Sequence, residues 1–190
     1  MALYPDLYIL RHGQTEWNVA GRYQGRQDSP LTTLGLCQAA AQAKILGKAL
    51  AGHMAPCFIS PQGRAVKTAK IALADLGIQP VLDSRLMEVN FGDWEGLTRS
   101  EIDSEKRTGN ADAHWHFSAP NGERMADMKN RVHGFLQSLQ APSIVVTHGI
   151  TSIVLRGLWL GYTEAAFMKL PHKQGCVYRL ANGKETCLTE

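Results

Sequence analysis

The residues of this 190-residue chain that could do chemistry are basic, and they stand at or just after the ends of short apolar runs. These side chains are Arg11, His12, Arg64 and His148. A basic group at the end of a buried strand is costly unless it meets an anion. Two arginines and two histidines at one place suit a doubly charged anion with several oxygens, and phosphate is the first candidate.

The apolar runs predict the strands that would deliver these side chains. Residues 7–10, 57–60 and 143–147 are typical of fully buried strands in a parallel sheet. Helices are predicted from the 3.6-residue spacing of apolar positions and from capping residues. The predicted helices cover residues 15–20, 33–50, 63–76, 99–106, 125–139 and 150–160, with strand character at 81–89 and a terminal hairpin over 176–189 that turns at Asn182-Gly183.

Strands that alternate with helices predict an α/β fold, a three-layer sandwich whose mostly parallel central sheet carries helices on both faces. No linker or internal repeat interrupts the sequence, so one domain is expected to cover residues 1–190. In an open α/β sheet, ligands bind outside the carboxyl ends of the strands. The four basic side chains would therefore meet if their strands are neighbours.

The composition limits the expected partners and location. Hydrophobic residues make up 44% of the chain and charged residues 19%, which is ordinary for a globular domain. The net charge is +3 and the Lys and Arg are dispersed, so no nucleic-acid partner is expected. We find no apolar run long enough for a membrane span and no secretory signal pattern, so the four cysteines are expected to be reduced and the location cytoplasmic.

The chain resembles the histidine phosphatase superfamily, also called the phosphoglycerate-mutase-like family, in five blocks that follow the family's order. The blocks are R-H-G-x-T-x-x-N at residues 11–18, the early loop at residues 21–32, S-P-x-x-R-A-x-x-T-A at residues 60–69, E-x-x-F-G-x-W-E-G at residues 88–96, and T-H-G at residues 147–149. The three-residue R-H-G would be weak evidence alone, whereas five ordered blocks are strong evidence.

The resemblance implies a role for each motif residue. His12 would attack phosphorus and form a phosphohistidine that water then hydrolyses. Glu88 would protonate the leaving oxygen and later deprotonate the attacking water. The residues implied to hold the phosphate are Arg11, Asn18, Gln24, Gly25, Arg64 and His148. The family needs no metal ion, so neither a metal nor another cofactor is expected.

Some of these assignments have competitors in the sequence. The nearby carboxylates that could be confused with Glu88 are Asp83, Asp93 and Glu95. Asn18 could be a local helix cap instead of a phosphate ligand. His114 and His116 have the spacing of a metal pair, but no further ligands stand at metal spacing. A lid loop in which either histidine contacts the substrate is the better interpretation.

The sequence departs from the cofactor-dependent mutases of the family. Arg26 follows Gly25 where the mutases have Trp, and residues 97–122 are compact where the mutases carry a substrate-binding insertion. A shorter lid would admit water and favour hydrolysis of the phosphoenzyme. Residues 122–124 read G-E-R where the family often has G-E-S, with Glu123 suited to the first turn of a helix.

We therefore expect a metal-independent phosphatase of the small phosphatase branch that acts on a small phosphorylated metabolite. The alternative within the family is a cofactor-dependent phosphoglycerate mutase. The alternative of another class is a non-catalytic module that binds a phospho-ligand or a phosphoprotein on the same fold. The sequence leaves the identity of the metabolite and the oligomeric state open.

Overall fold

The centre of the fold is a twisted sheet, seen in a computed structural model that describes residues 4–105 and 115–190. Within this part of the chain the sheet has six strands in the order β3-β2-β4-β1-β5-β6. Their bounds are Leu7–Arg11 (β1), Cys57–Ile59 (β2), Val81–Leu82 (β3), Ser143–Thr147 (β4), Val177–Ala181 (β5) and Lys184–Leu188 (β6). Strands β1 to β4 run parallel, and the terminal hairpin β5–β6 is antiparallel. The predicted mostly parallel sheet is confirmed.

Helices cover both faces of this sheet. Their bounds are Glu16–Val19 (α1), Thr33–Leu50 (α2), Gly63–Ala72 (α3), Arg99–Glu105 (α4), Met125–Ser138 (α5), Gly149–Leu160 (α6) and Glu164–Phe167 (α7). Alternate residues of β1 point to opposite layers. Leu7 and Ile9 pack in the cluster that holds α5 and α6, whereas Tyr8 and Leu10 pack in the cluster that holds α2 and α3. This arrangement confirms the predicted three-layer sandwich.

The neighbouring positions of β2, β4 and β1 bring three predicted motifs together. Arg11 lies opposite Thr147 in the β1–β4 register, and Ile59 lies opposite Val146 in the β2–β4 register. The residues that follow these strands, including His12, Ser60 and His148, therefore emerge side by side at one edge of the sheet. The strands that precede the basic side chains are therefore neighbours, as a shared site requires.

Local sequence explains where several elements begin and end. Of Thr32 and Thr33, the two residues that the sequence offers as a cap for α2, Thr32 takes the role, and its hydroxyl accepts a hydrogen bond from the Gly35 N–H at 3.1 Å. The hairpin turn is made by Asn182 (φ 53°) and Gly183 (φ 72°), the left-handed pair that such a turn requires. Within the described residues, no helix has the length and apolar character needed to cross a membrane.

The sequence places Leu34, Cys37, Ala41 and Ile45 of α2 at helical spacing, but of these four only Ile45 is buried. Leu34 and Cys37 are exposed, whereas Gly35, Ala39 and Gln42 are buried. A Cβ on Gly35 would lie 2.1 Å from the Gln14 carbonyl oxygen, so a close backbone contact fixes the rotation of the helix. Packing against the segment after β1 thus overrides the apolar spacing.

Three other predictions need correction. Only Val81–Leu82 of residues 81–89 forms a strand, because the Asp83 side chain accepts from the Arg85 N–H at 2.9 Å and starts a 3-10 turn. Helix α3 stops at Ala72, and turns follow as far as Gly77. Residue Glu123 precedes α5 and is not in its first turn. Short α7 was not predicted. The predicted end of α4 at Lys106 and the lid residues up to 114 lie outside the described residues.

Candidate active site

A cavity of about 260 Å³ opens at the carboxyl ends of β1, β2 and β4. Seven of the eight predicted site residues line it, and these are Arg11, His12, Asn18, Gln24, Gly25, Arg64 and Glu88. The eighth, His148, lies behind His12, with 5.2 Å between the two ring centroids. The structure therefore brings all eight predicted residues to one place.

The two ring nitrogens of His12 have different surroundings. Its side chain is buried, and Nδ1 lies 2.8 Å from the Gly13 carbonyl oxygen. A proton on Nδ1 that is donated to this carbonyl leaves Nε2 unprotonated. Burial lowers the pKa of His12 well below its usual value, and the charges of Arg11 and Arg64 lower it further. His12 is therefore a neutral imidazole at neutral pH.

Glycines allow the loop after β1 to approach α2. A Cβ on Gly13 would lie 2.2 Å from the Gly35 carbonyl oxygen, so a larger residue could not occupy position 13 without displacing the helix. The Gly13 N–H donates to the Thr68 hydroxyl at 3.0 Å, which ties the loop to α3. The His12 N–H donates to the Thr147 carbonyl at 3.0 Å. These contacts fix the backbone on both sides of the His12 ring.

Arg11 is anchored by one end of its guanidinium. Nη1 donates to the His172 carbonyl at 2.6 Å, and Nε is buried with no partner among the described residues. Burial lowers the Arg11 pKa, while the negative charge of Glu88 raises it. Buried Gln42 donates to the carbonyls of Arg11 and Cys176, both at 3.0 Å, and so holds β1 against the residue that precedes β5.

Arg64 is buried at the first turn of α3 and is held by the loop before α2. Nη1 donates to the Gln27 carbonyl at 2.6 Å and to Asp28 at 3.0 Å, and Nη2 donates to the Gly25 carbonyl at 2.9 Å. Its Nε, like that of Arg11, has no partner in the described part of the chain. The guanidinium is thus oriented by three fixed acceptors before any ligand binds.

His148 supplies a third unsatisfied nitrogen. Its Nε2 lies 2.7 Å from the Ser60 hydroxyl, and its buried Nδ1 has no partner among residues 4–105 and 115–190. Burial lowers the pKa of His148 well below its usual value, followed by the charges of Arg64, His12 and Arg11. Buried polar atoms without partners are costly and uncommon. Three of them around His12 indicate a place for the oxygens of an anion.

Glu88 is fixed at the beginning of α6. One carboxylate oxygen, Oε1, accepts from the Val89 N–H, the Thr151 N–H and the Thr151 hydroxyl, each at 3.0 Å. The other, Oε2, accepts from the Ile150 N–H at 3.1 Å. A carboxylate at a helix N-terminus also interacts favourably with the helix dipole. The Glu88 N–H donates to Gln62 Oε1 at 2.7 Å, so the backbone is fixed as well.

The three competing carboxylates are occupied elsewhere. Asp83 pairs with Arg85, Asp93 accepts from the Asn121 amide, and Glu95 accepts from the N–H groups of Arg26 and Phe91. They do not line the cavity. Glu88 is the carboxylate of this set that faces the site.

Asn18 helps to cap α1 and also lines the cavity. It completes a capping box with Thr15, whose hydroxyl accepts from the Asn18 N–H at 3.2 Å. Asn18 Oδ1 accepts hydrogen bonds from the Thr15 N–H at 3.1 Å and from Gln174 at 3.2 Å. The side-chain nitrogen is therefore the atom of Asn18 that can donate to a ligand in the cavity. Gln24 donates to the Thr15 hydroxyl at 2.8 Å, and its Oε1 is buried without a described partner.

Several lining residues carried little signal in the sequence. His172 belongs to no motif and comes close because β5 pairs with β1. His116, which the lid interpretation had singled out, lines the cavity and packs against Trp115 with 4.1 Å between ring centroids. Burial lowers the pKa of His116 to about 4. His114 lies outside the described residues.

The early loop contacts the residues just before α5 through charged side chains. Arg26 lies 3.6 Å from Glu123, which also makes two contacts with Arg131. Arg124 provides no side-chain cap for α5 and donates weakly to the Phe117 carbonyl at 3.4 Å. Among the residues described, no group of three or more His, Cys, Asp or Glu is arranged to hold a metal ion.

Comparison with known proteins places the chain in one family. Residues 7–189 match the histidine phosphatase superfamily (branch 1). A glucosyl-3-phosphoglycerate phosphatase from Mycobacterium tuberculosis (strain ATCC 25618 / H37Rv) is 35% identical, over 87% of this chain and 76% of the relative. A protein from Yersinia pestis (strain Pestoides F) named "Probable phosphoglycerate mutase GpmB" is 34% identical, over 87% of this chain and 79% of the relative.

The fold is shared with solved structures. Bacillus stearothermophilus YhfR superposes with a TM-score of 0.79 at 32% identity, and the match covers 98% of this chain and 96% of YhfR. Catalysis through a histidine is general in this family, and His12 stands in the family's first motif. The chain therefore belongs to the histidine phosphatase superfamily, branch 1, and is a phosphoric monoester hydrolase by class.

Proposed function

We propose that the chain is a metal-independent phosphomonoester hydrolase that works through a phosphohistidine on His12. The observation that carries the proposal is the state of the His12 ring. Its Nδ1 is bound to the Gly13 carbonyl, and its lowered pKa keeps Nε2 unprotonated beside two guanidinium groups. An unprotonated imidazole nitrogen next to cations is suited to attack an electrophile that carries negative charge.

In the first step, Nε2 of His12 attacks phosphorus and the bond from phosphorus to the leaving oxygen breaks. Arg11, Arg64 and His148 hold the phosphoryl oxygens with the nitrogens that have no partner of their own. Glu88 gives its proton to the leaving oxygen, so the alcohol departs uncharged.

In the second step, water attacks the phosphohistidine. Glu88, now ionised, takes one proton from the water as the oxygen–phosphorus bond forms and the nitrogen–phosphorus bond breaks. Phosphate is released, and His12 and Glu88 return to their starting states. The Asn18 amide supplies a neutral donor, while the Gly25 carbonyl keeps Arg64 in place and Gln24 supports the same loop.

The contacts of Glu88 favour catalysis over simple binding. A module that only bound phosphate would gain nothing from an acidic group at the site, because a carboxylate repels the anion. Glu88 nevertheless lines the cavity beside Arg11, and a Cβ on Gly149 would lie 3.5 Å from the Arg11 Cζ and 3.6 Å from Glu88 Oε2. The acid is thus kept within reach of the phosphoryl group.

The proposed substrate is a small phosphorylated metabolite, in keeping with a cavity of about 260 Å³. We propose hydrolysis over mutase chemistry because Arg26 is held by Glu123 where the mutases carry Trp. We also propose that the protein acts in the cytoplasm, where its four free cysteines would stay reduced.

The test is hydrolysis of 4-nitrophenyl phosphate in the presence of EDTA. We expect turnover by the natural protein, none by His12→Ala, and normal turnover by His53→Ala, which removes an exposed histidine that does not line the cavity. Turnover by His12→Ala at the natural rate would remove the mechanism. A panel of cellular phosphomonoesters, with phosphoglycerate mutase activity assayed in parallel, would then identify the substrate and the reaction.

A further inference from the structure

The two oxygens of Glu88 have unequal surroundings. Oε1 accepts three hydrogen bonds, two of them from Thr151, whereas Oε2 accepts only one, from the Ile150 N–H. Oε2 also lies on the side of Gly149, which lines the cavity. An oxygen that already accepts three hydrogen bonds has little capacity left for a proton. Oε2 is therefore the carboxylate oxygen of Glu88 that has room to carry a proton.

The Thr151 hydroxyl has one hydrogen and two acceptors within reach. It lies 3.0 Å from Glu88 Oε1 and 2.8 Å from the Met87 carbonyl oxygen, and the side chain is fully buried. A hydroxyl donates one hydrogen bond at a time. Because both acceptors are fixed, the hydrogen has two alternative positions, which differ by a rotation about the Cβ–Oγ1 bond.

We propose that Thr151 is a positioning residue whose hydroxyl hydrogen follows the charge of Glu88. While Glu88 is ionised, the hydrogen is donated to Oε1, because hydrogen bonds to a charged acceptor are the stronger ones. While Oε2 carries the proton, the hydrogen turns to the Met87 carbonyl. No bond to Thr151 breaks in either step, and the proton passes only between Oε2 and the substrate or water. The inference rests on the proposed acid–base role of Glu88.

The consequence is a measurable change in pH dependence. Thr151→Val keeps the shape of the side chain but removes the donor that stabilises ionised Glu88. The ionised form of Glu88 is then less favoured relative to the protonated form, because it has lost one hydrogen bond. With an alkyl phosphate, which needs a proton on its leaving group, the fall of kcat/KM at high pH should move upward by about one pH unit. With 4-nitrophenyl phosphate, whose leaving group needs no proton, the profile should not move.

Two variants serve as controls. Thr151→Ser keeps the hydroxyl and should restore the natural profile. Thr147→Val removes another buried hydroxyl, which donates to the Leu86 carbonyl at 2.7 Å and does not touch Glu88. It should lower stability without moving the profile. Should Thr151→Val fail to fold, Thr151→Ala allows the same comparison.

The profile of kcat/KM against pH decides the matter. An upward shift in Thr151→Val with the alkyl substrate alone, reversed in Thr151→Ser, supports the proposal. An unmoved profile, or equal shifts in Thr151→Val and Thr147→Val, overturns it. Failure of the underlying function is recognised separately, since His12→Ala would then retain activity.

Discussion

Replacement of Glu88 by Gln separates the acid from its structural contacts. Gln has the same size, so its amide oxygen can keep the three hydrogen bonds that Oε1 accepts. Its amide nitrogen then takes the place of Oε2, where the Ile150 N–H donates at 3.1 Å. Two hydrogen-bond donors, the new amide nitrogen and the Ile150 N–H, then face each other. The variant also has no acidic proton to give to the leaving oxygen.

The magnitude follows from these two losses. A buried N–H left without an acceptor costs about 1–3 kcal/mol. For a chain of this length, that corresponds to a Tm lower by roughly 2–12 °C. Loss of a general acid lowers the rate by about 10²–10⁴-fold when the leaving group is poor. With a leaving group that departs without a proton, the loss should be about tenfold or less on the same reasoning.

The assay is kcat/KM for a series of phosphomonoesters whose leaving groups differ in pKa, from 4-nitrophenol to simple alcohols. Glu88→Gln should give a much steeper dependence on leaving-group pKa than the natural protein. Asp93→Asn is the matched control, because Asp93 lies in the same acidic block, is exposed and does not line the cavity. Equal losses for aryl and alkyl substrates would refute the acid role.

The remaining predictions concern the buried histidines and two glycines. The pKa values of His12 and His148 are lowered in the folded protein, so below pH 6.5 the unfolded chain binds more protons than the folded one. The free energy of unfolding should therefore decrease as the pH is lowered. Denaturant titrations between pH 8 and pH 4 check this, and a free energy of unfolding that did not change over this range would contradict it. Gly25→Ala should reduce both stability and kcat/KM, because φ is +51° and a Cβ would lie 2.0 Å from Glu95 Oε1. Gly47→Ala, in the open interior of α2, should instead stabilise by about 0.5–1 kcal/mol, and equal Tm changes in the two variants would argue against the strain at Gly25.

The parts of the fold that the sequence predicted are those with strong local patterns. Residues 143–147 have three consecutive β-branched apolar residues and are the strongest strand signal in the chain, and Asn182-Gly183 has the backbone preference of its turn. Ordered motifs also identified the site, because His12, Arg64 and His148 follow strands that turned out to be neighbours.

The parts that could not be predicted depend on contacts between distant residues. The buried face of α2 is set by the approach of Gly35 to Gln14, and the spacing of apolar residues along the helix does not reveal that contact. His172 reaches the cavity only because an antiparallel strand joins the sheet beside β1. The Oε1 and Oε2 atoms of Glu88 become different only when α6 is in place.

The central claim is that phosphate is transferred to His12. Mass spectrometry of protein quenched in base after a short exposure to substrate tests it most directly, since phosphohistidine is stable in base and labile in acid. We expect one added phosphoryl group, located on the peptide that contains His12 and lost on acid treatment. Trapped protein without a phosphoryl group, or with the group on another residue, would contradict the mechanism.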